Sequence, residues 1–130
     1  MSREILKPEG WARPRGYANG IAAEGRQVFV SGQIGWDAEQ RIVSDDFALQ
    51  TRQALANVID VLACAGAGPG HLVRLTWYVT SRDEYNASLA DIGTIYRELM
   101  GRNFPAMSVV VVAGLLEPRA KVEIEATAVV

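Results

Sequence analysis

The sequence predicts an α+β fold in the order ββαβαββ, with two helices covering one face of one sheet. Three observations carry this prediction. Two stretches repeat apolar residues at helical spacing, other stretches alternate or run apolar as strands do, and the two kinds are interleaved along a chain of 130 residues. That length fits a single domain, 1–130, built around one core.

The first two strands are expected at residues 17–23 and 27–34, joined as a hairpin through the turn "AEGR". A helix follows over residues 45–65. Ser44 can cap it, Asp45 and Asp46 suit the positive end of its dipole, and Leu55, Val58, Leu62 and Ala65 recur on one face. "GAGPG" at 66–70 stops it. Residues 72–80 alternate, with Val73, Leu75, Trp77 and Val79 on one side and Arg74, Thr76, Tyr78 and Thr80 on the other. Ser81-Arg82-Asp83-Glu84 is a capping-box pattern that opens a second helix, whose Tyr85, Leu89, Ile92, Tyr96 and Leu99 form a stripe. Gly101 and Pro105 end it, and residues 107–113 and 121–129 are the last strands. The strand at 107–113 is apolar except at Ser108, as strands buried on both faces are. Two helices cannot cover both faces, so a second copy of the chain is expected to cover the other.

Composition narrows the function. Thirteen Lys and Arg against fifteen Asp and Glu give a net charge of −2, so neither nucleic acid nor an anionic membrane surface is an expected partner. No apolar run approaches the roughly 20 residues of a membrane span. The start, "MSREILKPEGWARPRG", has no apolar signal region, and a cytoplasmic location is expected. A single cysteine, Cys64, excludes an internal disulfide and is read as core packing. A single histidine, His71, argues against a His-based metal site or a Ser-His-Asp triad, and it is read as a turn residue. No metal and no cofactor is expected. "GAGPG" lacks the Gly-Lys-Ser/Thr of a phosphate loop.

Two places invite chemistry. In "VFVSGQIGW" an apolar strand runs into Ser31-Gly32-Gln33, which is either a turn or the floor of a binding site. In the last strand Glu123, Glu125 and Thr127 point away from Val122, Ile124 and Ala126, so both carboxylates lie on the face the helices leave free. They are either catalytic groups or members of ion pairs. Among the tryptophans, Trp77 is expected in the core, and Trp36 is a better pocket candidate than Trp11.

"VFVSGQIG", "QALANVIDVLACAGAG", "LVRLTWYVTSRDEY", "FPAMS" and "VEIEATAV" together resemble the RidA/YjgF family, also known as endoribonuclease L-PSP or translation-inhibitor proteins. The resemblance runs from about Tyr17 to Val129, and Ser-Gly-Gln and the terminal Glu-Ile-Glu are its most specific parts. It implies a chorismate-mutase-like fold, a homotrimer, and a small-molecule ligand held in clefts between subunits. Active members hydrolyse enamines and imines to 2-keto acids and ammonia. By the same resemblance Glu123 positions a water, Ser31, Gly32 and Gln33 line the cleft, and Tyr17 contributes to it. The family's deaminases carry "PARS", whose Arg clamps the substrate carboxylate; here the segment is Pro105-Ala106-Met107-Ser108. Methionine offers only apolar contact. An Asn often found before the second helix's Tyr is also replaced, by Gly93 ahead of Tyr96.

Three functions compete on this reading. One is a hydrolase of C–N bonds in a reactive imine or enamine that lacks the usual α-carboxylate, since Met107 replaces the clamp arginine, using Glu123 and Ser31, with Tyr17, Gly32, Gln33, Trp36 and Met107 around the substrate. Another is a non-catalytic trimer that binds a metabolite in the same cleft. The third is an RNA-cleaving protein, disfavoured by the charge balance. Arg15 and Arg102 are the first candidates for a replacement clamp.

Overall fold

The computed structural model of the chain describes residues 2–130. Six strands and three helices follow one another as β1 (Ser2–Leu6), β2 (Gly20–Glu24), β3 (Gln27–Ile34), α1 (Phe47–Cys64), β4 (Leu72–Val79), α2 (Arg82–Ala87), α3 (Leu89–Met100), β5 (Ala106–Val111) and β6 (Val122–Val129). The class is α+β as expected. The main sheet has the order β3-β6-β4-β5, and β1 and β2 form a separate two-stranded ribbon.

The ribbon corrects the expected hairpin. β2 pairs antiparallel with β1, from Ser2↔Glu24 to Leu6↔Gly20, and not with β3. The sheet is therefore four-stranded with a satellite, and not one continuous sheet. Gly25 turns the chain at φ +145°, where an added Cβ would sit 2.4 Å from the Val130 carbonyl oxygen. Arg26 and Val130 then exchange backbone hydrogen bonds of 2.9 and 2.8 Å, so β3 starts its pairing on the far end of β6.

β6 lies at the centre, antiparallel to β3 on one side and to β4 on the other, while β5 pairs parallel with β4 after the α2–α3 crossover. α1 packs across β3 and β6 and against α3. Leu55, Val58 and Leu62 of α1 meet Leu75 and Trp77 of β4 and Val122, Ile124 and Ala128 of β6 in one buried cluster. A register shift between Leu72 and Arg74 lets Leu72 join this core, leaving Val73 only half-buried where strict alternation would bury it.

The helices differ from expectation at four points. Asp46, not Ser44, caps α1, its carboxylate accepting from the Leu49 N–H at 3.0 Å, while Ser44 Oγ accepts from the Asp46 N–H. The second helix breaks at Ser88 into α2 and α3, so Tyr85 and Leu89 fall on separate axes and Leu89 is exposed. Ser81 does cap α2, accepting from the Glu84 N–H at 3.1 Å, but Glu84 turns its carboxylate to Lys121 instead of closing the box. Cys64 is exposed and not part of the core, because it lies off the Leu55-Val58-Leu62 stripe. His71 sits in a 3-10 turn, and its Nδ1 accepts from the Gly68 N–H.

A buried amide closes the helix-covered layer at one end. Gln50 of α1 is fully buried, and its Nε2 donates to the carbonyls of Ser44 at 2.8 Å and Arg119 at 3.0 Å, while its Oε1 accepts from the Lys121 N–H at 2.8 Å. Gly35 lets β3 run under this point, since a Cβ there would lie 2.6 Å from Gln50 Cα.

The opposite face carries no helix. β5 is an edge strand, and within one chain Val109, Val110 and Val111 are 37%, 42% and 51% exposed, the face for which a second copy of the chain was expected as cover. Phe29 of β3 is 71% exposed. Within one chain nothing among the described residues covers this side.

Because the contact at Gly35 is with helix backbone, Gly35→Ala forces two elements apart. We expect a loss of about 1–3 kcal/mol, read as a lower urea midpoint at an unchanged slope of the unfolding transition.

Candidate functional site

β3 does not stop at Ser31. Its pairing with β6 runs Val30↔Ala126 and resumes at Gln33↔Ile124, so Ser31 and Gly32 together face Glu125 alone. This two-against-one mismatch is a β-bulge, and bulges re-aim side chains and backbone groups. Ser31 is exposed at its crest, and the Gln33 Nε2 folds back to donate to Ser31 Oγ at 3.2 Å and to Ser31 O at 3.1 Å.

The glycine has a specific cause. A Cβ on Gly32 would fall 2.7 Å from Glu123 Cδ and 2.8 Å from its Cγ and Oε2. The missing side chain is the space the Glu123 carboxyl occupies. A bare backbone segment and a carboxylate thus share one spot on the helix-free face, with Ser31 next to it in the bulge. Ser31, Gly32, Gln33 and Glu123 are brought together.

Glu125 is one step along the same face. Its Oε1 accepts from the Tyr78 hydroxyl at 2.6 Å. That hydrogen bond, first, and desolvation, second, hold the Tyr78 hydroxyl above its ordinary pKa, so it stays a proton donor to the carboxylate. Ser31 and Glu125 also line a cavity of about 430 Å³ with Phe29, Arg74, Thr76 and Thr127. Arg74 was not among the site residues expected from sequence. Its signal was available: strand alternation sets it on one face with Thr76 and Tyr78, and register sets it opposite Thr127. Among the described residues no carboxylate lies within 4.0 Å of its guanidinium.

The other expected residues lie elsewhere. Tyr17 is exposed and lines a separate concavity of about 1030 Å³ with Arg15, Arg102 and Phe104. The Ala18 N–H donates to Pro105 O at 3.0 Å, tying the Tyr17 segment to the start of β5. No residue lines both concavities, so within one chain Tyr17 is set apart from the cavity of Ser31 and Glu125, and Glu123 lines neither. Trp36 lines neither. It follows β3 in a bridge to Ile42, and its carbonyl accepts from Asn57 of α1 at 2.9 Å, which holds this segment beside the helix. Met107 pairs in register with Leu75, and its half-buried side chain packs against the core. Trp77 is 2% exposed in that core, and its indole Nε1 has no partner. No cluster of three or more His, Cys, Asp or Glu suited to a metal occurs among the described residues. No helix among them is long and apolar enough to cross a membrane.

Comparison with known proteins agrees with this architecture. The family model described as endoribonuclease L-PSP matches residues 12–130. A 2-iminobutanoate/2-iminopropanoate deaminase of Salmonella typhimurium is 34% identical over 129 residues, covering 99% of this chain and 98% of that one. Among solved structures, YyfB of Yersinia pestis, a conserved Rid-family protein of unknown function, superposes over the full length of both chains with a TM-score of 0.88 at 36% identity. The YjgF gene product of E. coli does so over 87% of each chain, with a TM-score of 0.69 at 34% identity. With the family model spanning nearly the whole chain and relatives above 30% identity along its length, the chain belongs to the endoribonuclease L-PSP family, the group that includes the RidA/YjgF proteins.

Proposed function

We propose that this protein hydrolyses a reactive imine or enamine to a carbonyl compound and ammonia, in a cleft formed where copies of the chain meet in a homotrimer. The observation that carries the reading is the Glu123 carboxyl seated in the space left by Gly32, one residue after Ser31 in the bulge. Hydrolysis of a C=N bond adds water to the carbon and then expels nitrogen as ammonia. Glu123 orients the water and accepts its proton. The Ser31 hydroxyl and the backbone N–H groups of the bulge face the charge that develops on the adduct. In this reading Tyr17 reaches the site from a neighbouring subunit, because in its own chain it lines a concavity that Ser31 and Glu125 do not share. The name of the Salmonella relative supports the reaction class. The exposed Val109–Val111 edge and Phe29 support the assembly.

Substrate choice differs from that of relatives with an arginine in the Pro-Ala-Arg-Ser segment. Position 107 offers a thioether packed against the core and no guanidinium. The same feature favours a second reading, a trimer that binds a metabolite without turning it over. The retained Ser31, Gly32 and Glu123 set favours hydrolysis.

The predictions separate these readings. Glu123→Gln keeps shape and loses the basic oxygen, so imine turnover should fall by about 100-fold with the circular dichroism spectrum unchanged. Gly32→Ala presses a methyl group onto that carboxyl and should also lower turnover, by about tenfold or more. Unchanged rates in both variants would remove Glu123 from the chemistry.

A bidentate arginine–carboxylate contact contains two charge-assisted hydrogen bonds, together about 3–6 kcal/mol, or roughly two to four orders of magnitude in affinity. The wild-type protein should therefore be a poor catalyst for 2-iminopropanoate generated in situ, compared with an arginine-bearing relative. Met107→Arg should not rescue it. The guanidinium would replace a side chain held against the core, so the melting temperature should drop; full rescue at the wild-type melting temperature would contradict this. Light scattering should give a mass about three times the 14.1 kDa of one chain, and a stable monomer at micromolar concentration would sink the inter-subunit cleft.

A further inference from the structure

The concavity beside Tyr17 collects positive charge from three separate stretches of chain. Arg3 and Lys7 come from β1 and its exit, Arg13 and Arg15 from the loop before β2, and Arg102 from the turn after α3. No Asp or Glu lines it. Among the described residues, none of the five has a carboxylate within 4.0 Å. Of the eight cations elsewhere, half are paired: Arg41 with Asp37 and Glu39, Arg52 with Glu98, Arg119 with Asp45, and Lys121 with Glu84; in the groove none is. Acidic residues outnumber basic ones fifteen to thirteen, yet none is placed in this concavity, where five cations gather. Like charges gathered in one concave surface repel, and folding gains nothing from them without an anion.

We infer that this groove binds a small organic anion carrying at least two carboxylate or phosphate charges. The inference deepens the proposed function and rests on it in one respect: because Tyr17 belongs to the proposed cleft, the bound anion is the charged end of the substrate. Guanidinium forks match carboxylate and phosphate oxygens alike. The volume of about 1030 Å³ suits a metabolite-sized ligand. One wall is apolar and braced: Phe104 stacks on Tyr96 at 5.5 Å, and the Tyr96 hydroxyl donates to Asn103 O at 2.5 Å. A carbon skeleton has a surface to lie on while its charged ends meet the arginines. Arg3 is steadied by donating to Gly70 O at 2.6 Å, which uses one N–H and leaves its charge. An extended nucleic acid fits less well. With five of thirteen basic residues in the groove, eight are left to oppose fifteen acidic residues over the rest of the surface.

The test is calorimetric titration of the full chain in physiological salt with glutarate, inorganic pyrophosphate, acetate and a short single-stranded RNA. We expect glutarate or pyrophosphate to bind at least about tenfold more tightly than acetate, the better of the two naming carboxylate or phosphate as the source. Arg15 and Arg102 are exposed, so the double variant Arg15→Gln/Arg102→Gln should keep its melting temperature and lose about tenfold or more in that affinity. Arg82→Gln, on a distant helix, should change nothing. Equal affinity for acetate and the dianions, or equal affinity in the double variant, would overturn the inference, as would tighter RNA binding with a steep salt slope. Dianion binding by a wild-type protein that hydrolyses no imine would uphold the groove and overturn the hydrolytic reading alone.

Discussion

One extra residue in one strand organises the helix-free face. Where Ser31 and Gly32 stand against Glu125 alone, the β3–β6 ladder opens and the backbone bends. Without it Ser31 would take its turn in a regular ladder, and the stretch around Gly32 would have no reason to approach Glu123. With it, the edge strand's backbone comes against a carboxylate of its neighbour, and the glycine is fixed by the carboxyl lying in place of its Cβ. The bulge is chemistry written into backbone register.

A register defect at an edge strand needs firm support on either side, and the other layer supplies it. The main-chain groups around Ser44, Arg119 and Lys121 would otherwise enter a nearly dry layer unpaired, and Gln50 satisfies them with one side chain. Gly35 brings β3 against the same turn of α1. Asn57, two turns further on, accepts nothing from the strand and instead donates to the carbonyls of Ile34 and Trp36. α1 thus grips β3 just beyond the bulge through polar contacts, which hold direction as well as distance. Sequence reading assigned this helix an apolar stripe, and the stripe is real, but its amides fix where the site sits.

Much of this was legible in the residues. Alternation in Val122–Val129 put Glu123 and Glu125 opposite the buried Val122 and Ile124, and the structure has them so. The helical stripe of Leu55, Val58 and Leu62 is fully buried. What failed depended on partners that no local pattern names. The ribbon of β1 and β2 needed Ser2–Leu6 to be a strand, and a charged stretch of five residues carries little strand signal. Cys64 was assigned to the core by its type, yet its position on the helix points it outward. The break at Ser88 hid inside a stripe that looked continuous. The bulge itself was visible only as an oddity, Ser-Gly-Gln after a run of apolar residues. Its meaning rests on a strand some ninety residues away.

The strand order also dictates when the molecule can exist. β6 is the last strand in chain order, yet it stands between β3 and β4, which do not touch each other in the ladder. Until residues 122–129 are available, both neighbours lack their shared partner and α1 has no sheet to cover. A nascent chain shorter than that presents two open strand edges and an uncovered apolar helix face, the surfaces that drive aggregation. Synthesis of this protein thus passes through a long interval in which nearly every element is made while β3 and β4 still wait for the strand that joins them.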